Sequence, residues 1–83
     1  VSPDGRFAFV CDLGLDQVLI YRLDTARATL SPHGHATLPA GSGPRHFAMH
    51  PSGRFAWCIN ELSLTVTGFT YDAEAGSLTT IET

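Results

Sequence analysis

The chain has no lysine: its five basic residues are all arginines, Arg6, Arg22, Arg27, Arg45 and Arg54, set against eight acidic residues. With a net charge of -3 and the arginines scattered, no basic stripe exists to track a phosphate backbone, so nucleic acid is not an expected partner. No apolar run is long enough for a membrane span, and no basic segment leads into an apolar one as in a signal peptide. The expected location is therefore the cytoplasm, with no membrane partner. Charged residues are only 16% of the chain and apolar ones 43%, which excludes a disordered or fibrous class. Cysteine is scarce, at Cys11 and Cys58 alone, too few for a disulfide framework or a zinc signature. The opening Val-Ser-Pro-Asp-Gly has no initiator methionine, and the chain reads as an internal piece of a longer protein.

What is present is a repeat. Residues 1–30 reappear at 49–78 without a gap, a period of 48 residues. Pro3 falls on Pro51, Gly5 on Gly53, Arg6-Phe7-Ala8 on Arg54-Phe55-Ala56, Val18 on Val66, Asp24 on Asp72 and Leu30 on Leu78; Phe9 becomes Trp57, Asp12 becomes Asn60 and Tyr21 becomes Phe69. Helical repeats of the ankyrin or tetratricopeptide kind are shorter, whereas several short strands per unit fit a propeller blade. The expected fold is all-β: a β-propeller fragment of about two four-stranded antiparallel blades. Blade one covers 1–40, with its inner strand mostly missing, and blade two covers 41–83. Faces of both blades need neighbours, so the remaining blades of a parent are expected partners and the isolated 83 residues are expected to be inactive or prone to associate.

Ser2-Pro3-Asp4-Gly5 and His50-Pro51-Ser52-Gly53 have the composition of type I turns at hairpin tips. Strands follow at about 6–11 and 54–59, then 17–23 and 65–71, with fourth strands from about Leu30 and Leu78. The strands at 6–11 and 54–59 are apolar on both faces, as layers stacked around a ring require. Pro39-Ala40-Gly41-Ser42-Gly43-Pro44 is a breaker cluster, read as a flexible turn between blades, and a short strand at about 45–49 follows it as the innermost of blade two. Gly68 interrupts a good strand, where glycine often marks a bulge. Cys11 and Cys58 occupy non-equivalent repeat positions and read as buried free thiols serving as small hydrophobes, with a disulfide as the lesser alternative.

The hairpin folded about Pro51-Ser52-Gly53 returns Glu61 level with Gly43-Pro44-Arg45. A guanidinium on a channel-lining strand can grip a carboxylate or phosphate by two parallel hydrogen bonds, and a carboxylate beside it can act as a base on water. Spacing alone leaves open, and favours, a structural Arg45–Glu61 pair locking the hairpin base. His46 adjoins Arg45, and strand alternation would aim the two at opposite faces, leaving His46 to hydrogen-bond within the blade or linker. His46 and His50 lie about 13 Å apart at about 3.3 Å per residue, too far to share an ion, while His33 and His35 lack a third ligand, so no metal is expected. Gly41-Ser42-Gly43 lacks the lysine and helix of a phosphate-binding loop. Asp12 and Asp16 are weak candidates for a cation site and usually cap a turn.

These segments together, Ser2-Pro3-Asp4-Gly5-Arg6-Phe7, Asp12-Leu13-Gly14-Leu15-Asp16, Gly41-Ser42-Gly43-Pro44-Arg45-His46 with His50-Pro51, Asn60-Glu61 and Tyr71-Asp72 ending in Gly76-Ser77-Leu78, resemble consecutive blades of the seven-bladed propeller lactonases. That family includes the propeller type of 6-phosphogluconolactonase and the fungal 3-carboxy-cis,cis-muconate lactonizing enzymes. Gly-Pro-Arg-His followed by Asn-Glu is the most specific part of the likeness. The resemblance implies a hydrolase of a small-molecule sugar lactone in the pentose phosphate pathway, without metal or organic cofactor. It implies a catalytic Arg45 and Glu61 in a cleft on the channel; Arg45 and His46 are the candidate substrate-binding residues, with a base role as the alternative for His46. Leu64 and Gly68 depart from the family pattern in the outer half of the blade. A cycloisomerase acting on a carboxylated muconate, or a non-catalytic binding propeller, are the alternative readings.

Overall fold

Both Pro-Gly turns close where the repeat places them in the computed structural model, which describes residues 1–83. The Gly5 N–H donates to the Ser2 carbonyl at 2.9 Å, and the Gly53 N–H donates to the His50 carbonyl at 2.9 Å. Each glycine has φ +73°, a left-handed conformation that costs glycine little. Seven strands follow in order: β1 (Phe7–Asp12), β2 (Gln17–Asp24), β3 (Thr29–Thr37), β4 (Pro44–Met49), β5 (Phe55–Asn60), β6 (Thr65–Asp72) and β7 (Ser77–Glu82). They form a three-stranded sheet in the order β1-β2-β3 and a four-stranded sheet in the order β4-β5-β6-β7. Every strand pair within these sheets is antiparallel.

The 48-residue period extends to register. Phe7 pairs with Arg22 as Phe55 pairs with Thr70, and Asp12 pairs with Gln17 as Asn60 pairs with Thr65. Bulges recur as well: the register shifts between Ile20 and Tyr21 in β2 and between Gly68 and Phe69 in β6. Gly68 therefore sits at a bulge that its counterpart Ile20 also forms. Left-handed residues recur at Asp16 (φ 54°) and Leu64 (φ 56°), and at Ala28 (φ 52°) and Gly76 (φ 64°).

The two sheets pack on each other through unlike faces. Phe7, Phe9 and Cys11 of β1 meet a second-sheet face that includes Ala56 and Cys58 of β5, with Phe47, Phe69 and Tyr71 around them. Phe9 stacks on Phe47 with ring centroids 4.7 Å apart and meets Tyr71 edge-on at 5.5 Å. Val18, Ala36, Leu38, Ala56, Cys58 and Phe69 are the buried centre of this layer. The opposite face of β5 is open: Phe55, Trp57 and Ile59 are 42%, 41% and 52% exposed. Strands apolar on both faces thus have one covered side each within these residues. Cys11 and Cys58 are free thiols, the first half-buried and the second buried.

Candidate active site

Gly43 must be glycine for two reasons. Its φ is +61°, and a Cβ there would collide with the Leu62 side chain. This turn delivers the chain into β4, an edge strand whose first residue, Pro44, needs no amide donor. Rather than being flexible, the Gly41-Ser42-Gly43 turn is fastened on both sides. The Glu61 N–H donates to the Gly43 carbonyl at 2.8 Å, and the Leu62 and Ser63 N–H groups both reach the Ser42 carbonyl at 3.2 Å. From the other sheet, the Asp16 carboxylate accepts the Gly41 and Gly43 N–H groups, each at 2.8 Å. Ser42 is only 2% exposed.

Asp16 is the residue that sequence reasoning undervalued. A carboxylate accepting two backbone N–H groups favours its charged form, and the Gly43 and Gly41 amides hold its carboxyl below the usual range. Asp12 caps its own turn by accepting the Leu15 N–H at 3.1 Å. Both aspartates therefore act on backbone, and nowhere do three or more His, Cys, Asp or Glu side chains gather as a metal-ligating group. The available signal was a carboxylate followed, one blade later in sequence, by two glycines whose amides need an acceptor.

Arg45 and Glu61 meet. The guanidinium Nη1 donates to the Glu61 Oε1 at 2.8 Å, with the two side chains 57% and 47% exposed. Alternation along β4 breaks here, because Pro44 pairs with Asn60 and His46 with Ile59, leaving Arg45 as an extra residue in the ladder. Such a bulge re-aims a side chain. As a result Arg45 and His46 do not oppose one another: both line one groove of about 430 Å³ together with Glu61, Asn60, Ile59 and Val66. The expectation that His46 would hydrogen-bond within the blade or linker is not met. Its imidazole has no such bond and faces the groove.

Asn60, just before Glu61, is fully buried. Its Nδ2 donates to Thr67 Oγ1 at 2.8 Å and to Thr65 Oγ1 at 3.2 Å, tying the end of β5 to β6. Its Oδ1 is buried without a partner. Elsewhere, His33 bonds the Ala75 carbonyl at 2.6 Å and packs on Phe7, while His50 bonds Ser52 at 2.9 Å within its own turn. Neither histidine joins the groove. Chemically the groove offers a fixed cation, a carboxylate, an unengaged imidazole and an apolar floor.

Comparison with known proteins points in one direction. The model of the family described as lactonase, 7-bladed beta-propeller, matches residues 1–83. A 6-phosphogluconolactonase of Pectobacterium carotovorum subsp. carotovorum is 40% identical over all of this chain and 25% of its own length. A 6-phosphogluconolactonase of Bacillus subtilis is 32% identical over 98% of this chain and 23% of its own length. Among solved structures, a protein from Lactobacillus plantarum superposes with a TM-score of 0.91 at 35% identity, covering 99% of this chain and 24% of its own. A periplasmic gluconolactonase of Pseudomonas aeruginosa superposes with a TM-score of 0.89 at 30% identity, covering 99% and 23%. The chain thus spans about a quarter of the length of these relatives.

Proposed function

Because this chain belongs to the seven-bladed β-propeller lactonase family, we propose that the whole protein hydrolyses a sugar lactone of the 6-phosphogluconolactone type, with Arg45 and Glu61 in its active site. The observation that carries this reading is the 2.8 Å contact between an exposed guanidinium and an exposed carboxylate in a groove shared with an unengaged imidazole. Two relatives from different genera, named 6-phosphogluconolactonase, support the substrate class.

In the proposed mechanism, Glu61 takes a proton from water as it attacks the lactone carbonyl carbon. Charge develops on the carbonyl oxygen, where the Arg45 guanidinium stabilises it. Collapse of the adduct breaks the bond to the ring oxygen, and the proton held on Glu61 passes to that oxygen, giving a hydroxy acid. His46 binds the substrate's polar groups at the same wall. Water, one base and one fixed cation supply all the chemistry, so the proposal uses no metal or organic cofactor. The remaining blades complete the cleft. We place the reaction in the cytoplasm, as part of the pentose phosphate pathway; subcellular fractionation distinguishes this from the periplasmic setting named for the Pseudomonas aeruginosa structure.

The test uses the whole protein. Arg45→Ala and Glu61→Gln are each expected to lower kcat/KM for the lactone by about 100-fold or more. Thermal unfolding should barely move, because an exposed ion pair contributes only about 0–1 kcal/mol. Full activity in both variants would remove the pair from the mechanism. Turnover of a carboxylated muconate in place of the lactone would reassign the same groove to a cycloisomerase.

A further inference from the structure

The two cysteines come from different sheets, yet their sulfurs lie 3.7 Å apart. The period explains the meeting. Cys58 is 47 residues after Cys11, one short of the repeat, so it lies on the opposite strand face from the equivalent of Cys11. Opposite faces of successive sheets are the ones that touch. Closing the gap to a disulfide requires roughly 1.7 Å of sulfur movement.

The geometry assigns Cys11 and Cys58 as a peroxide-oxidisable pair that forms a disulfide joining the two sheets. Nothing in this assignment depends on the lactonase reading. Within these residues Cys11 is the half-buried member and Cys58 is fully buried, so Cys11 is the one expected to meet the oxidant first. Contact with the Cys58 sulfur also holds the Cys11 thiol below its ordinary range, which favours the reactive thiolate. Cys58, the buried member of the pair, is the resolving partner.

The chemistry balances with hydrogen peroxide as the oxidant. The Cys11 thiolate attacks a peroxide oxygen, the O–O bond breaks, and the departing hydroxide takes a proton to leave as water, giving Cys11 sulfenic acid. The Cys58 sulfur then attacks the Cys11 sulfur. The S–O bond breaks, and the hydroxide leaves with the Cys58 proton as a second water. Two thiols are oxidised by two electrons in total, and one peroxide is reduced to two waters.

The test is a peptide map of the whole protein after mild peroxide, quenched by thiol alkylation and digested with trypsin without reductant. Cleavage after Arg6, Arg22 and Arg54 releases Cys11 in the Phe7–Arg22 peptide and Cys58 in the peptide beginning at Phe55. The expected result is a linked species whose mass is the sum of the two peptides less two hydrogens, lost on reduction with dithiothreitol. In Cys11→Ser, the Cys58 peptide should remain fully alkylatable after the same treatment. Oxidation should also raise the thermal midpoint of the wild type, reversibly, because the bridge closes a 47-residue loop. Separate peptides with both thiols alkylated, Cys11 carrying sulfinic acid with Cys58 still free, or Cys58 bridged to another cysteine would each overturn the assignment. The wild-type map alone decides the matter should Cys11→Ser fail to fold.

Discussion

At residue scale, Leu64 is in the wrong conformation for its side chain. It has φ 56° and is 89% exposed, so a branched hydrophobe sits in the left-handed region without packing in return. Leu64→Asn is expected to raise stability by about 1 kcal/mol, since asparagine enters this region more readily; a urea midpoint that falls or stays constant would contradict this. Its repeat counterpart, Asp16, has the same backbone conformation but uses its carboxylate on Gly41 and Gly43. The sign of that contribution with pH follows from its depressed carboxyl pKa. The folded state then binds its proton less readily than the unfolded chain. Stabilisation is fully present above the ordinary aspartate range and is lost as pH falls through the lowered folded value. Wild type should therefore exceed Asp16→Asn in stability by a constant margin above about pH 5, with the margin shrinking in acid. A pH-independent difference in thermal midpoint would show that the carboxylate charge is not the operative feature. Composition reports only the breakers of the Gly41-Ser42-Gly43 segment, whereas two of its backbone amides are held by a carboxylate of the other sheet.

At the scale of the element, the strands were readable from the sequence to within about a residue, since the repeat supplied two aligned copies of each pattern. The expected strand at 54–59 is Phe55–Asn60, and the expected 65–71 is Thr65–Asp72. Placement of Arg45 beside Glu61 was also legible, because hairpin length alone sets that register. The shared groove of Arg45 and His46 was not. A bulge breaks alternation without leaving a residue signature beyond the preceding Gly-Pro, and alternation was the premise that separated the two. The facing of Cys11 and Cys58 was written in the period, but only for a reader who knew which faces of successive sheets touch. Tight inter-sheet packing also fixes the β6–β7 turn. Gly76 has φ 64°, and a Cβ there would strike the Phe7 ring of the first sheet. Gly76→Ala is expected to cost about 2–4 kcal/mol through backbone strain and overpacking together, measured as a lowered denaturant midpoint; a neutral effect would mean that the Phe7 contact yields easily.

On the scale of the whole molecule, the outer face of the second sheet, whose Ile59 and Val66 also line the groove, is uncovered within these residues. Phe55, Trp57, Ile59 and Val66 are each 41% to 52% exposed on adjoining strands. A contiguous apolar face of this kind marks an interface. The 83 residues by themselves are expected to associate, with weight-average mass rising with concentration in sedimentation equilibrium. Ile59→Glu should suppress that rise, and a stable monomer at every concentration would refute the expectation. The repeat also determines the form of such assemblies. Phe55, Trp57 and Ile59 are the counterparts of Phe7, Phe9 and Cys11, and those side chains are received by a face of the other kind. Knob and socket reside on opposite sides of each sheet, so the stack has a polarity, like bricks with studs above and recesses below. Copies joined by this contact would share no two-fold axis, and growth would proceed as a ring or an open-ended series without pausing at a dimer.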